Sequence, residues 1–473
     1  MYVEQLYTSC LAEAAYYIES KGEAAIIDPL RETEPYLELA RQRGATIKYI
    51  FETHFHADFV SGHIDLSHKT GAPIVFGPNA KPSYTAHVAE DGACFQIGDL
   101  TIQVLHTPGH TMESTTFLLK DESGKDHAIF TGDTLFIGDV GRPDLAVKSD
   151  LTQEDLAGLL YDSLHAKILP LADAVIVYPG HGAGSQCGKN MSKETTDTLG
   201  NQKKVNYALQ NIGKAQFIQE LTTGILPPPA YFPENVRLNK GGYESLDVVM
   251  ERGARPLSPR DFELEMEQGT FVLDTRNPDD YERGHIPGSI NIGLNGQYAV
   301  WVGTVVPFGA RLALVPEPGK EEESILRLSR VGYDNVAGYL AGGMDAWTQA
   351  GKQTGTVRSI EAESIAQALA MGAVILDVRG PGEYETGHIR QAMNVPLADL
   401  QQRLAELKPD QPYVVHCAGG YRSMIACSIL KRAGYQNLQN VYGGYNRIKQ
   451  EAGLEFAEGA CPSQQRAARL GLS

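Results

Sequence analysis

Cysteine is scarce in this chain. Six residues, Cys10, Cys94, Cys187, Cys417, Cys427 and Cys461, are spread over 473 positions, too few for a disulfide framework. Long apolar runs are missing as well, so no membrane partner is expected. The opening MYVEQLYTSCLAEAAYYIES has no basic start followed by an apolar stretch, so it does not read as a secretory signal. A cytoplasmic protein with free thiols is the expectation. Runs of Lys and Arg are absent and the formal net charge is −17. That field repels a nucleic acid, which excludes it as a partner, and an anionic substrate would need local cations.

What is present is organised in three parts, as the length suggests. FVLDTRNPDDYERGHIPGSINI (271–292) is repeated as VILDVRGPGEYETGHIRQAMNV (374–395), with Asp274 and Asp377, Arg276 and Arg379, and His285 and His388 each 103 positions apart. GYDNVAGYLAGGMDAW (332–347) likewise matches GYQNLQNVYGGYNRI (434–448). Two copies of one domain therefore fill 246–355 and 356–473. Each alternates short β-branched strands with helical stretches, as an α/β domain with a parallel sheet should. The segment 455–473 reads as a loose tail. Residues 1–245 have no repeat partner and close on the Pro-rich LPPPAYFPENVRLNKGG (226–242), which is expected to be neither a helix interior nor a central strand.

In the first part four apolar strands each run into a turn and then a metal-binding type of side chain. IKYIF leads to His54, His56 and Asp58; TIQVLH to His110; HAIF to Asp133; DAVIVY to His181. Four such ends on neighbouring strands converge at one sheet rim, and the mix of imidazole and carboxylate suits a hard or borderline cation. A single histidine after a strand is commonly a surface or capping residue; four together are not.

These motifs, THFHADFVSGH, TPGHT, FTGD and YPGH, resemble those of the metallo-β-lactamase superfamily over roughly 1–240. The resemblance implies an αββα sandwich with its metal site at the rim. One position departs: Phe59 stands where the family places a histidine that serves a second metal. A second ion would keep only Asp58, His181 and the bridging Asp133. Within the superfamily the chain is most similar to the persulfide dioxygenases, which share the His54-to-His110 spacing, a GRPDL-like segment (141–145) and a pattern like PPAYFPEN (228–235). That resemblance implies one Fe(II) per chain, held by His54, His110 and Asp133, with three coordination positions left for O2 and substrate. His56, Asp58 and His181 then orient ligands from outside. Cys187 either carries sulfur at the site mouth or is a buried small hydrophobe. Arg142 and Lys189 either anchor an anionic thiol or are solvated charges.

In the last copy the strand PYVVH leads into Cys417-Ala418-Gly419-Gly420-Tyr421-Arg422 and then a helical stretch. A strand, a glycine-rich loop and a helix start make an anion nest, where a thiolate is favoured and Arg422 can hold an oxyanion. This resembles the rhodanese active-site loop, and the resemblance implies that Cys417 carries a sulfane sulfur while Arg379 and Arg422 flank the pocket. The first copy runs from RLALV into Pro316-Glu317-Pro318, and no cysteine lies between Cys187 and Cys417. It is expected to be a silent rhodanese fold serving as a spacer, docking or dimerisation surface.

The expected protein is an α/β chain: a metallo-β-lactamase sandwich followed by two rhodanese-like domains with parallel sheets. It would oxidise a glutathione, coenzyme A or similar persulfide with O2 to sulfite, coupled to thiosulfate formation or use, as a homo-oligomer. The competing readings are a glyoxalase II-like zinc thioester hydrolase, which needs the second metal that Phe59 undermines, and a sulfur-relay module carried on a passive scaffold.

Overall fold

Tyr16 and Tyr17 are chain neighbours, and both are buried, on opposite faces of one strand. Successive strand residues point to opposite sides, so this strand belongs to a sheet covered on both faces. The structure, a computed structural model, describes residues 1–146, 151–189, 191–225, 227–451 and 453–458. The chain forms two units: Met1–Val249 with Leu326–Tyr333, and Met250–Ile325 with the chain from Asp334 onward.

In the first unit, β1 (Tyr2–Thr8), β2 (Glu13–Ser20), β3 (Glu23–Ile27), β4 (Thr46–Glu52), β5 (Ile74–Phe76) and β6 (His87–Val88) form one sheet in that order. Pairing is antiparallel through β3 and parallel beyond it. The second sheet runs in order through β7 (Cys94–Ile97), β8 (Leu100–His106), β9 (Thr115–Lys120), β10 (Asp126–Gly132), β11 (Ile176–Pro179) and β12 (Asp197–Thr198), antiparallel except for β10 with β11. Tyr16, Phe51, Val75, Val104, Phe117 and Phe130 fill the space between the sheets. On the outer face of the first, Ile26 and Ile50 meet Tyr36 and Ala40 of the helix Glu34–Arg43. On the outer face of the second, Ile129 and Val177 meet Ala157 and Leu160 of the helix Gln153–Ser163, whose start is fixed by a Thr152–Asp155 capping box. The layering is αββα. One expectation is corrected: half of the Pro-rich stretch is the helix Phe232–Gly241. Pro233 stands in its first turn, where a missing N–H removes no helical hydrogen bond.

In the second unit, β13 (Pro256–Leu257), β14 (Phe271–Asp274), β15 (Ile290–Asn291), β16 (Leu312–Val315) and β17 (Val336–Leu340) form a wholly parallel sheet in the order β13-β17-β16-β14-β15. A second wholly parallel sheet repeats that order with β18 (Arg358–Ile360), β19 (Val374–Asp377), β21 (Met393–Asn394), β22 (Tyr413–His416) and β23 (Leu438–Val441). The strand β20 (Gly387–Ile389) pairs antiparallel with β24 (Phe456–Glu458). The loose-tail expectation is thus wrong for 456–458, because Phe456 packs on Tyr445 in the core of this domain. Residues 459–473, Cys461 among them, lie outside the described residues. Among the described residues no helix is long and apolar enough to cross a membrane.

Candidate metal centre and cysteine loop

The strands β4, β8, β10 and β11 run in the same direction within their sheets and end at one rim, delivering His54, His110, Asp133 and His181. The backbone there is tightly constrained. Gly132 has φ +48°, and a Cβ on it would lie 2.4 Å from Thr53 Oγ1. A Cβ on Gly141 would lie 2.0 Å from the Asp133 carbonyl oxygen and 2.9 Å from His110 Nδ1.

Asp133 Oδ2 lies 3.4 Å from His110 Nε2 and 3.9 Å from His54 Nε2. The two imidazoles stand perpendicular with centroids 5.0 Å apart, and all three side chains are buried. His110 Nε2 and Asp133 Oδ2 have no hydrogen-bond partner among the described residues. Orphaned buried polar atoms are costly, and a cation among the three satisfies them together. The outer nitrogens set the tautomers. His110 Nδ1–H donates to the Arg142 carbonyl at 2.8 Å. The Thr53 hydroxyl donates to Asp28 Oδ2 at 2.8 Å, so its lone pair accepts His54 Nδ1–H at 3.0 Å. Both Nε2 atoms are left as bare lone pairs facing Asp133. Burial alone would raise the Asp133 carboxyl, but His181, His110 and His54 hold it well below the ordinary carboxylate value.

His181 bridges two carboxylates, with Nδ1 2.7 Å from Asp133 Oδ1 and Nε2 2.8 Å from Asp58 Oδ2. Burial opposes its charge, yet the Asp133 and Asp58 carboxylates raise its pKa well above the usual imidazole value. Nε2 is close to Asp58 as an ion pair, but it and Asp58 Oδ1 have no hydrogen-bond partner among the described residues. Phe59 is fully buried with its ring 4.3 Å from that of His56. His56 turns its Nε2 to Asp28 Oδ1 at 3.1 Å and Glu52 Oε2 at 3.5 Å while its ring lies against that of His54. Cys187 is buried, with its sulfur grouped with the ligand-type atoms of Asp58 and His181. Burial, then the carboxylates of Asp58 and Asp133, push its thiol pKa well up. It is both buried and at the site.

Both candidate anion anchors, Arg142 and Lys189, have partners inside the protein. The Arg142 guanidinium is held by Asp144 at 2.6 and 2.7 Å and by the Gln186 carbonyl at 3.1 Å. Lys189 Nζ donates to the carbonyls of Leu221 and Thr223 at 2.5 and 2.6 Å, closing the end of the helix Lys214–Thr222. Asp28 was missed by sequence reasoning although it carries the same signal as the ligands: an apolar strand, β3, ending in a carboxylate.

In the last domain β22 delivers Cys417, which is buried. Gly420 N–H donates to Cys417 Sγ at 3.1 Å from a backbone with φ +106°, and Ser423 Oγ is 3.6 Å from the sulfur. The helix Tyr421–Arg432 begins within the loop, leaving Ala418 and Gly419 as its first turn away from the strand. Arg422 is clamped by Glu383 through two bonds of 2.6 and 2.7 Å, a partner that sequence reasoning did not identify. The Tyr421 hydroxyl donates to the Gly293 carbonyl of the cysteine-less copy at 2.7 Å. Arg379 has close partners of its own. Asp377 holds it at 2.6 Å, it donates to the Gly387 carbonyl at 2.9 Å, and it lies over the Tyr445 ring.

The fold and the rim define a metal-binding αββα domain joined to two copies of a parallel-sheet domain, one of which presents a cysteine loop. Comparison with known proteins agrees. The model of the metallo-β-lactamase superfamily matches residues 9–181, and that of the rhodanese-like domain matches 258–350 and 361–451. A probable hydroxyacylglutathione hydrolase of Schizosaccharomyces pombe is 31% identical over 166 residues, 34% of this chain and 60% of that protein. The mitochondrial persulfide dioxygenase ETHE1 of Mus musculus is 30% identical over 221 residues, 46% of this chain and 79% of that protein. A crystal structure of a metallo-β-lactamase from Staphylococcus aureus matches with a TM-score of 0.66 and 32% identity, over 72% of this chain and 98% of that one. The chain spans about three fifths of the length of the first curated relatives. It belongs to the metallo-β-lactamase superfamily, as a relative of the persulfide dioxygenases, and carries two rhodanese-like domains.

Proposed function

We propose that this protein oxidises the terminal sulfur of a small thiol persulfide with O2 and passes sulfane sulfur through Cys417. The first reaction balances as RSSH + O2 + H2O giving RSH, sulfite and two protons. The observation that carries the reading is the trio of His54 Nε2, His110 Nε2 and Asp133 Oδ2, buried and mutually close, with Phe59 buried beside them where it offers no ligand for a second ion. Two imidazoles and one carboxylate suit Fe(II), which when bound supplies a centre able to bring O2 and a sulfur donor together. The chain's own groups do the rest. Arg142 and Thr53 fix the imidazole tautomers, and His181 clamps the oxygen of Asp133 that does not face them. The thioester-hydrolase reading requires a second ion at Asp58 and His181, where Phe59 supplies no ligand.

In the last domain, sulfite attacks the outer sulfur of a Cys417 persulfide. The bond to Sγ breaks, thiosulfate leaves, and Cys417 remains as thiolate, stabilised by the Gly420 N–H. Arg422 attracts the anion against the pull of Glu383. Tethering the two reactions at residues 1–245 and 356–473 raises the effective concentration of sulfite at Cys417. The free thiols favour a cytoplasmic location.

The test is anaerobic purification, metal analysis, and O2 uptake with glutathione or coenzyme A persulfide. One iron per chain and iron-dependent uptake are expected. Two zinc ions with thioester hydrolysis would overturn the proposal.

A further inference from the structure

A second cluster of buried chelating groups lies beside the rim. β3 and β4 are parallel neighbours, with Ile26 opposite Ile50 and Ile27 opposite Phe51. The next residues, Asp28 and Glu52, therefore bring two carboxylates to the same end of the sheet. Asp28 has φ +50°, a left-handed backbone that aspartate tolerates better than most residues. Both carboxylates and His56 are buried. Their ligand-type atoms lie within 4.8 Å of one another, with His56 Nε2 3.1 Å from Asp28 Oδ1 and 3.5 Å from Glu52 Oε2. None of the three belongs to the His54, His110 and Asp133 trio, or to the Asp58 and His181 pair that a second ion of the hydrolase reading would use.

Hydrogen bonds do not account for this cluster. The His56 ring is enclosed, 4.3 Å from the rings of both His54 and Phe59, yet neither of its nitrogens has a hydrogen-bond partner among the described residues. A buried imidazole left in that state is costly. A second bare nitrogen faces Glu52. The Tyr84 hydroxyl gives its hydrogen to the Asn239 carbonyl at 2.7 Å, so it accepts His63 Nε2–H at 2.6 Å, and His63 Nδ1 is left as a lone pair 3.4 Å from Glu52 Oε1. Positive charge at the carboxylates relieves that contact. The carboxylates themselves are held in place: Thr53 N–H donates to Asp28 Oδ1 at 2.7 Å, and the Ser61 hydroxyl to Glu52 Oε1 at 2.5 Å. Outer bonds of this kind orient metal ligands. Ligands about 2.1 Å from a tetrahedral ion lie about 3.4 Å apart, close to the 3.1 and 3.5 Å found around His56 Nε2.

We propose that Asp28, Glu52 and His56 hold a divalent cation of the zinc class, at a site separate from the rim trio and whatever metal that trio takes. One imidazole with two carboxylate oxygens is a donor set that zinc accepts. Two carboxylates around one divalent ion also leave the buried site neutral, where the bare pair would stand uncompensated in a water-poor interior. All three ligands are buried, so the ion is structural. It ties the end of β3 to the end of β4 and pins the imidazole that lies against His54.

The test is a metal count on the full chain, purified anaerobically from zinc-supplemented cultures, for wild type, His110→Ala and Glu52→Gln. Wild type should carry one zinc per chain besides the metal of the trio. His110→Ala should lose the iron and keep the zinc. Glu52→Gln keeps the shape and removes the charge; it should lose the zinc, keep the iron and melt at a lower temperature, because a buried structural ion contributes to folding. Wild type without a zinc equivalent overturns the assignment whatever the variants do. So does zinc that survives Glu52→Gln, or zinc that leaves together with iron in His110→Ala. Zinc X-ray absorption of His110→Ala reads the site without altering it, and so decides the matter even if Glu52→Gln fails to fold. Nitrogen and oxygen donors alone are expected; a sulfur donor would place the ion at Cys187 and refute the proposal. None of these readings depends on O2 uptake, so the dioxygenase and this site stand or fall separately.

Discussion

Thr53 is a small residue on which the metal centre depends. Its hydroxyl passes the charge of Asp28 to His54: Asp28 Oδ2 takes the hydroxyl hydrogen at 2.8 Å, and the hydroxyl oxygen takes His54 Nδ1–H at 3.0 Å. Thr53→Val keeps the shape and the β-branch but removes both bonds. Asp28 still accepts Thr53 N–H at 2.7 Å, so the backbone stays anchored. Two buried groups lose their partner, each at a cost of about 1–3 kcal/mol. The imidazole loses the contact that fixes its tautomer and adds to its basicity, and outer contacts of this kind are worth about ten- to a hundredfold in metal affinity.

The assay is anaerobic titration of metal-free protein with Fe(II) against a competing chelator, with Thr53→Ser as the control that restores the hydroxyl. The valine variant should bind iron at least about tenfold more weakly and the serine variant close to wild type. If valine binds within about twofold of wild type, the Asp28–Thr53–His54 relay does not orient the ligand.

Other consequences are equally direct. Cys417→Ser should abolish sulfur transfer from thiosulfate to cyanide while leaving O2 uptake intact; residual transfer would place the carrier elsewhere. A Cβ on Gly296 would lie 2.4 Å from the Tyr421 ring, so Gly296→Ala should cost about 1–3 kcal/mol and lower sulfur transfer through the displaced loop. Unchanged transfer and melting would show that Tyr421 does not brace it. Burial holds the His285 pKa down at about 4, against about 6.5 in an unfolded chain. The native ring therefore binds fewer protons than the unfolded one between those values, and stability falls as pH drops through that window, by about 3 kcal/mol in all. Denaturant midpoints from pH 7 to pH 4 should show this slope and His285→Gln should flatten it; equal slopes refute the assignment.

The rim residues were legible in the sequence because each follows an apolar strand and a turn, a pattern that survives without knowing the partners. Charge partners were not legible in the same way. Arg142 reads as an anchor or a solvated charge and Arg379 as flanking the cysteine loop, yet each is paired with a carboxylate, Asp144 and Asp377, two positions away. A short-range acid beside an arginine at a strand or loop end deserved more weight than the arginine itself. Pro233 and Phe456 were misjudged for a related reason. Composition marked their segments as irregular, but a proline fits a helix start and one aromatic ring suffices to recruit a short strand.

The repeat shows which identities belong to the scaffold. Arg276 donates to Asp274 at 2.6 Å and to the Gly284 carbonyl at 2.8 Å, as Arg379 does to Asp377 and Gly387. His285 stacks on Tyr281 with centroids 4.0 Å apart, as His388 does on Tyr384 at 3.7 Å. Asn291 Nδ2 donates to the Asp274 and Arg276 carbonyls, as Asn394 does to those of Asp377 and Arg379. All of this persists in the copy without a cysteine, so it holds the first βα turn in place and is not the sulfur chemistry. The difference lies after β16. Counting from the strand ends, Pro316 stands for Cys417, Pro318 for Gly419 and Glu321 for Arg422. Two prolines remove two N–H donors from the would-be nest. The helix that follows, Glu321–Ser329, opens with three glutamates at the end that would otherwise attract an anion. The first copy therefore opens its loop with fewer donors and more negative charge than the second, and on the proposed reading restoring a thiol alone would not make it a sulfur carrier.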